Sequence, residues 1–371
     1  MEERKDRLKK LREKINKKAG YSLAYNLNEV NPTEVTDWIP TGSRWLDSII
    51  CSGKMAGIPL GKIIELAGTS GVGKSYLALQ VAFSALKKGI DVIYFDSESA
   101  IDKNFIVKMG FDLNDLMYVQ AESIEFVFET IQDMLSANEK PMLFVLDSVA
   151  NCPTRKEFES SFDPRALMAQ KALVLSKVFQ KLTIPLANHG STLLLVNQLK
   201  TNISQNAKYD PWFTPGGKSP EYLCSLRIWL TVSNSKDNII KDEYDDPIGS
   251  LVRVKIKKSR FGSFGKTCEF KILWGGDGAL SVQDEESWYE AIKPSDRVVD
   301  GPWCKFKMSS GEEVKFRKKD WKERLKDPDF RQEVIKIMDE LYIEGKIEKK
   351  SDNNQENEIE SGDCSTINDE E

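Results

Sequence analysis

Gly68-Thr69-Ser70-Gly71-Val72-Gly73-Lys74-Ser75 fits the spacing G-x-x-x-x-G-K-[ST], and its flanks decide how it is read. Upstream, Lys62-Ile63-Ile64-Glu65-Leu66-Ala67 is short, apolar and β-branched; downstream, Tyr76-Leu77-Ala78-Leu79-Gln80-Val81-Ala82 continues with good helix formers. Strand, glycine turn and helix in that order make a phosphate-binding loop. The glycines let successive backbone N–H groups converge on one concavity, which a Cβ would resist or block. Lys74 reaches the β and γ phosphates, Ser75 holds Mg²⁺, and the amino end of the helix adds partial positive charge. ATP and Mg²⁺ are therefore the expected ligands.

Working outward, Asp91-Val92-Ile93-Tyr94-Phe95-Asp96 is a second strand with polar residues at its carboxyl end. A helix from about Ile124 to Leu135 leads to Met142-Leu143-Phe144-Val145-Leu146-Asp147, an apolar strand ending in a carboxylate. Thr192-Leu193-Leu194-Leu195-Val196-Asn197-Gln198 is another buried strand, reached through a helix over 164–184. Alternating strands and helices predict an α/β fold with a mainly parallel sheet flanked by helices, whose ligands gather beyond the carboxyl ends of the strands. That topology brings Asp96, Glu98, Asp147 and Gln198 to the P-loop. Asp147 supplies the second Mg²⁺ contact.

The chain has 371 residues, 40% hydrophobic and 30% charged, which fits about two globular domains. No apolar run approaches the roughly 18 residues a membrane helix needs, and Met1 opens a charged stretch without a signal region. The expected location is cytoplasmic. Six cysteines scattered singly argue against a disulfide framework or zinc site, and His189, the only histidine, precedes Gly190 at a helix end, a place that favours capping over catalysis. Acid–base work falls to carboxylates. A formal net charge of −5 argues against a generally basic nucleic-acid coat, yet the ends differ in sign. Residues 1–18 are rich in Lys and Arg, whereas 352–371 hold only acidic charges and few large apolar groups, the composition of a disordered tail.

Leu8, Leu11 and Ile15 form a narrow apolar stripe on the basic amino-terminal helix, suited either to a neighbouring subunit or to its own domain. Leu199 to Pro220 has no periodicity, and loops of that length tend to be functional. It holds Lys200, Lys208, Tyr209, Trp212, Phe213 and Lys218. Such a mixture can stack bases and neutralise phosphate on single-stranded nucleic acid, or Trp212 and Phe213 can pack the loop on its own domain. Later strands over 226–232, 250–257 and 267–274 flank a basic turn, Lys257-Lys258-Ser259-Arg260-Phe261-Gly262. Gly275-Gly276-Asp277-Gly278 closes the core. Beyond it, a smaller α+β unit has a β segment over Gly301–Phe316 and a helix from Asp329 to Ile343. The expected divisions are 1–36 for oligomerisation, 37–283 for the ATPase core, 284–350 for the small domain and 351–371 for the tail.

Pro40-Thr41-Gly42-Ser43, the P-loop, Asp96-Ser97-Glu98, Leu146-Asp147-Ser148-Val149-Ala150, Asn197-Gln198, Gly216-Gly217 and Lys258-Ser259-Arg260 occur in this order. Together they resemble the RecA family of DNA strand-exchange recombinases, particularly its phage UvsX-like branch. The resemblance implies that Glu98 activates the attacking water, that Gln198 senses γ-phosphate, and that Asp102 and Phe105 flank the adenine. It implies that Lys258 and Arg260 reach a neighbour's ATP in trans, and that Gly216 and Gly217 belong to the DNA-binding loop. In the family the helix at 164–184 carries DNA-facing arginines; here the aligned sites hold Leu173 and Gln180, and contact shifts to Arg165, Lys171 and Lys177. Tyr21-x-x-Ala24 resembles a subunit-joining strand. The implied function is an ATPase that forms a filament on single-stranded DNA and exchanges strands with homologous duplex, with single-strand-binding and loader proteins as possible partners. Two rivals share the P-loop: a ring helicase motor and a P-loop ATPase or kinase indifferent to DNA.

Overall fold

The computed structural model describes residues 2–20, 22–29, 31–32, 34–99, 101–159, 164–202, 211–232, 238–275 and 280–345. The acidic tail, Lys208, Tyr209, Tyr21 and Gly276–Gly278 lie outside the described residues. Helix α1 (Glu2–Ala19) carries Leu8, Leu11 and Ile15 half exposed along its length. Asn16 then turns back on the chain. Its Oδ1 accepts the N–H groups of Leu23 and Ala24 at 2.9 and 2.8 Å, and its Nδ2 donates to Ala24 O at 3.1 Å. One side-chain amide thus takes the place of a strand partner.

β1 (Trp38–Ile39) pairs with β2 (Ile58–Pro59) beside α2 (Arg44–Ile50), whose first turn is capped by the Ser43 hydroxyl accepting from Leu46 N. Strands and helices then alternate: β3 (Ile63–Gly68), α3 (Lys74–Lys87), β4 (Asp91–Asp96), α4 (Lys103–Lys108), β5 (Leu116–Gln120), α5 (Ile124–Ala137) and β6 (Met142–Asp147). Next come α6 (Arg155–Glu159), α7 (Pro164–His189), β7 (Thr192–Gln198), β8 (Lys200–Thr201), β9 (Trp212–Phe213) and α8 (Ser219–Leu223). β10 (Leu226–Val232), β11 (Ile239–Lys241), β12 (Pro247–Ser259), β13 (Thr267–Leu273) and β14 (Ser281–Gln283) complete the large sheet. The carboxyl-terminal unit holds α9 (Trp288–Ile292), β15 (Val298–Val299), β16 (Cys304–Lys307), β17 (Glu313–Phe316), α10 (Trp321–Arg324) and α11 (Pro328–Tyr342).

The large sheet has ten strands in the order β14-β13-β12-β10-β3-β7-β6-β4-β5, with β11 added to β12. From β10 to β5 every pair is parallel, and from β10 to β14 every pair is antiparallel. Parallel strands are covered on both faces, and the side-chain alternation follows. Val92 and Tyr94 of β4 join the cluster under α2 and α3, while Ile93 and Phe95 join the cluster under α5 and α7.

Helix α7 runs past the expected end at 184 because its buried stripe Leu175, Phe179, Leu182 and Leu186 continues through Pro185. His189 closes it, with Nδ1 2.8 Å from Ser191 Oγ and Nε2 on Asn138 O, so it bridges α5 to β7. The carboxyl-terminal unit packs directly on the core. Phe330, Val334, Ile337 and Met338 of α11 share one apolar cluster with α2 and α3, and Arg44 binds both oxygens of Asp339 at 2.7 and 2.9 Å. Among the described residues the five cysteines are buried and unbridged, and no helix is long and apolar enough to cross a membrane.

Candidate active site and nucleic-acid-facing loops

Between β3 and α3 the chain turns through Gly71 at φ +71° and Gly73 at φ +92°, left-handed positions that a side chain would strain. A Cβ on Gly68 would lie 2.7 Å from Val72 Cγ1 and 2.9 Å from Leu230 O, so the start of the loop is also packed too closely for one. Lys74 donates from Nζ to Thr69 O at 2.8 Å. Burial pushes its pKa down, and Asp147 and Glu98 oppose that shift. Thr69 Oγ1 is buried without a hydrogen-bond partner. An unpartnered hydroxyl, a concave backbone and the amino end of a 14-residue helix form a cradle that fits a polyphosphate.

The neighbouring strands end in carboxylates. Asp96 of β4 and Asp147 of β6 stand in register, and Ser97 and Ser148 clasp the strand ends beyond them. Ser97 N donates to Asp147 O at 2.7 Å, while Ser148 N donates to Ser97 Oγ at 2.9 Å. Tyr94 OH donates to Asp147 Oδ2 at 2.7 Å, and the Ser75 hydroxyl bonds the same carboxylate. Burial raises the pKa of Asp147, the bonds from Ser75 and Tyr94 oppose the rise, and the charges of Glu98 and Asp96 add to it. Asp147 stands buried among the negative charges of Glu98 and Asp96, with the Ser75 hydroxyl on its carboxylate; a hard divalent cation would compensate that charge, so Ser75 and Asp147 suit Mg²⁺. Glu98 is more exposed. Its Oε1 accepts from Ser148 Oγ at 2.8 Å and from Asn151 Nδ2 at 2.6 Å.

Gln198 ends β7 in register with Gly68, which sets the expected sensor beside the P-loop. Its neighbour Asn197, which sequence reasoning left without a role of its own, is buried in a polar network. Asn197 Nδ2 donates to Glu65 Oε1 at 2.9 Å and to Pro215 O at 3.0 Å. Glu65 Oε2 accepts from Arg227 Nε at 2.5 Å, and Arg227 donates onward to Thr214 Oγ1 at 3.0 Å. The returning arm of the long loop is thus fastened to β3, β7 and β10 through buried charges. Apolar alternation could not reveal this, because Glu65 and Arg227 interrupt strands that otherwise read as continuous core.

Several expected contacts fall elsewhere. The 199–220 stretch is no bare loop: β8 and β9 pair as a short antiparallel ribbon. Trp212 packs against Ala67, Leu199 and Trp229, so the packing alternative holds for Trp212, while Phe213 is 42% exposed. Lys200, Gly217, Lys218 and Lys177 are exposed, and Gly216 is buried with its backbone against Leu175. Lys171 is not presented as a DNA contact. Its Nζ donates to Ala150 O at 2.9 Å, and burial lowers its pKa. Arg165 sits in the first turn of α7. Asp102 caps α4 by accepting from Asn104 N at 2.8 Å, but Phe105 does not offer a free face. It is 7% exposed, with Tyr76 at 4.5 Å between ring centroids, because α4 turns it into the core beside α3.

Lys258 Nζ donates to Glu221 O and Tyr222 O at 2.5 and 2.9 Å, and Arg260 donates to Tyr222 O at 3.3 Å. Their strand pairs Ser259 with Leu226, which in turn stands beside Ile64. Ile64 is at the far end of β3 from Gly68, roughly 13 Å along the strand at about 3.3 Å per residue. These cations therefore stand away from the P-loop of their own chain.

A P-loop at the carboxyl edge of a parallel sheet, flanked by a carboxylate strand and a strand ending in Asn-Gln, defines a RecA-type nucleotide-hydrolysing core. The family model for the RecA N-terminal domain matches residues 6–279. Protein RecA of Fusobacterium nucleatum is 31% identical over 338 residues, covering 91% of this chain and 84% of that protein. Protein RecA of Frankia alni is 30% identical over 308 residues, covering 81% and 83%. For Protein RecA of Bifidobacterium breve the identity is 32% over 261 residues, covering 70% of this chain and 64% of that protein. The chain belongs to the RecA family.

Proposed function

We propose that this chain is an ATP-dependent DNA recombinase of the UvsX-like branch, acting in the cytoplasm, of a host cell if phage-encoded. It assembles as a filament on single-stranded DNA, pairs that strand with homologous duplex, and hydrolyses ATP to ADP and phosphate in a DNA-dependent manner. The divisions that go with this reading are 1–36 for subunit joining, 37–283 for the motor, 284–350 as an accessory unit and 351–371 as an acidic tail.

Gly68–Ser75 bind the phosphates and Lys74 neutralises them; Asp102 lies toward the adenine. Bound between Ser75 and Asp147, Mg²⁺ would offset charge on the β and γ phosphates. Glu98 takes the proton of the water that attacks the γ phosphorus as the bond to ADP breaks. Gln198 reports the γ-phosphate to the ribbon and loop behind it. Arg165, Lys177, Lys200, Lys208, Tyr209, Phe213, Gly217 and Lys218 form the DNA-facing set, and buried Gly216, at φ +104°, supplies the turn that presents them. One observation carries this reading over a kinase: Lys258 and Arg260, the cations that the proposal sends to a neighbour's ATP, stand at the opposite edge of the sheet from Gly68. A site divided in this way is completed by the next subunit in a polymer.

The test is ATP turnover with and without single-stranded DNA, with electron microscopy of the same mixture. Strong stimulation by DNA together with filaments is expected. Turnover indifferent to DNA would favour the kinase-like alternative, and closed rings the helicase. Glu98→Gln should keep nucleotide binding and filaments while turnover falls by about 10²-fold or more.

A further inference from the structure

We propose that Asn151 and Lys171 are positioning residues for hydrolysis: Lys171 ties helix α7 to the turn 148–151, and that turn holds Asn151 against Glu98. The inference rests on the reading of Glu98 as general base and adds the device that orients it.

The geometry forms a continuous chain. Glu98 is an exposed side chain at the end of β4, where a free carboxylate would sample several rotamers. Two donors converge on its Oε1: Ser148 Oγ at 2.8 Å and Asn151 Nδ2 at 2.6 Å, the latter from a residue 53 positions away. Both donors belong to one turn. Its backbone is held on one side by Val149 N donating to Val196 O at 2.9 Å, beside Asn197 and Gln198. On the other side it is held by Lys171 Nζ, 2.9 Å from Ala150 O and 3.4 Å from Val149 O.

Lys171 is half-buried at this contact, and its charge feels Glu157 of α6 as an attraction and Lys200 of β8 as a repulsion. It therefore stands where α6, α7 and the base of the ribbon meet, one step behind the DNA-facing surface. A shift of α7 on DNA binding moves two carbonyls of the turn, and the turn moves the amide that fixes Glu98. Among the described residues, the charges of Asp147 on β6 and Lys74 on α3 act on Glu98, and Asp96 of β4 accepts from its N–H at 2.8 Å. None of these lies on α7.

The experiment uses the full chain with saturating single-stranded DNA. Asn151→Asp keeps the side-chain shape but sets a second carboxylate against Glu98. Two carboxylates in contact share a proton, so the acid limb of the kcat–pH profile should move up by about one pH unit or more. KM for ATP should stay within about twofold, because Asn151 touches no phosphate-binding group. Lys171→Met should lower DNA-stimulated kcat by about tenfold through misplacement of the base, and Lys171→Arg, which retains donors, should recover most of it. DNA affinity by fluorescence anisotropy should not fall in step with kcat.

An unmoved acid limb in Asn151→Asp overturns the proposal, as does a loss of DNA affinity in Lys171→Met that matches its loss of kcat. Should Lys171→Met fail to fold, the pH profile of Asn151→Asp still decides. Glu98→Gln run in parallel separates the two levels. If it hydrolyses ATP at the wild-type rate, the base assignment falls and this inference with it. If it is inactive while the profile stays put, only the positioning role is lost.

Discussion

Asp47 shows how a single residue couples the fold to pH. It is buried in α2, where its Oδ1 accepts from Thr41 N at 3.0 Å and from Thr41 Oγ1 at 2.7 Å. Burial raises its pKa to about 8; the Thr41 bonds oppose the rise and the nearby charge of Asp284 adds to it. In the unfolded chain the carboxyl has the ordinary value near 3.8. The native state thus binds the extra proton between those values, so stability from this group is greatest below pH ~4 and is lost as pH rises toward ~8. Asp47→Asn cannot ionise and keeps the oxygen that Thr41 bonds. Its melting temperature relative to the wild type should climb steadily between pH 5 and pH 8 in differential scanning fluorimetry; parallel curves would show that Asp47 is already ionised in the native state. Asp47 carried no signal in the sequence, since an Asp in the first turn of a helix reads as an ordinary exposed residue. Glu98 and Asp147 were legible because strand polarity alone sends them to the ligand edge of the sheet.

At the scale of elements, the P-loop, β4, β6 and β7 were readable and the 199–220 segment was not. The difference is physical. Buried parallel strands declare themselves as apolar runs, whereas β8 and β9 are two residues each and pair only because Trp212 is anchored on Leu199 and Trp229. Lysines and aromatics in one stretch could not be sorted into ligand-facing and packing groups without that anchor. Lys171 illustrates the same limit: its helical position was visible, but its bond to Ala150 depends on a turn far off in the chain. The sorted ribbon gives a sharper expectation than the segment did. Phe213→Ala should weaken binding to an oligothymidylate by about tenfold, the effect of losing one base–aromatic stack, with little change in melting temperature. Trp212→Ala should mainly lower the melting temperature. Equal losses of affinity accompanied by equal losses of stability would mean that the two rings serve one packing unit.

Across the whole molecule, the P-loop and the pair Lys258 and Arg260 lie at opposite edges of the same sheet, and under the proposed function this polarity has a consequence for mixed assemblies. In the single chain Lys258 and Arg260 rest on the carbonyls of Glu221 and Tyr222 in α8. In the filament proposed for this chain, a head-to-tail interface would bring those cations from one subunit to the P-loop of the next. A protein with Lys258→Ala and Arg260→Ala retains its own P-loop and Glu98 but offers nothing to its neighbour. Glu98→Gln has the reverse defect: its own site is dead, while its cations are intact. Each alone should be nearly inactive on single-stranded DNA. Mixed in equal amounts, they should regain about a quarter of wild-type turnover, since random neighbours in a directional polymer place a cation-deficient subunit's ATP against an intact pair at that frequency. A steady-state ATPase titration across mixing ratios checks this, with a maximum near equal amounts. A straight line of near-zero rates would mean that Lys258 and Arg260 act within their own subunit.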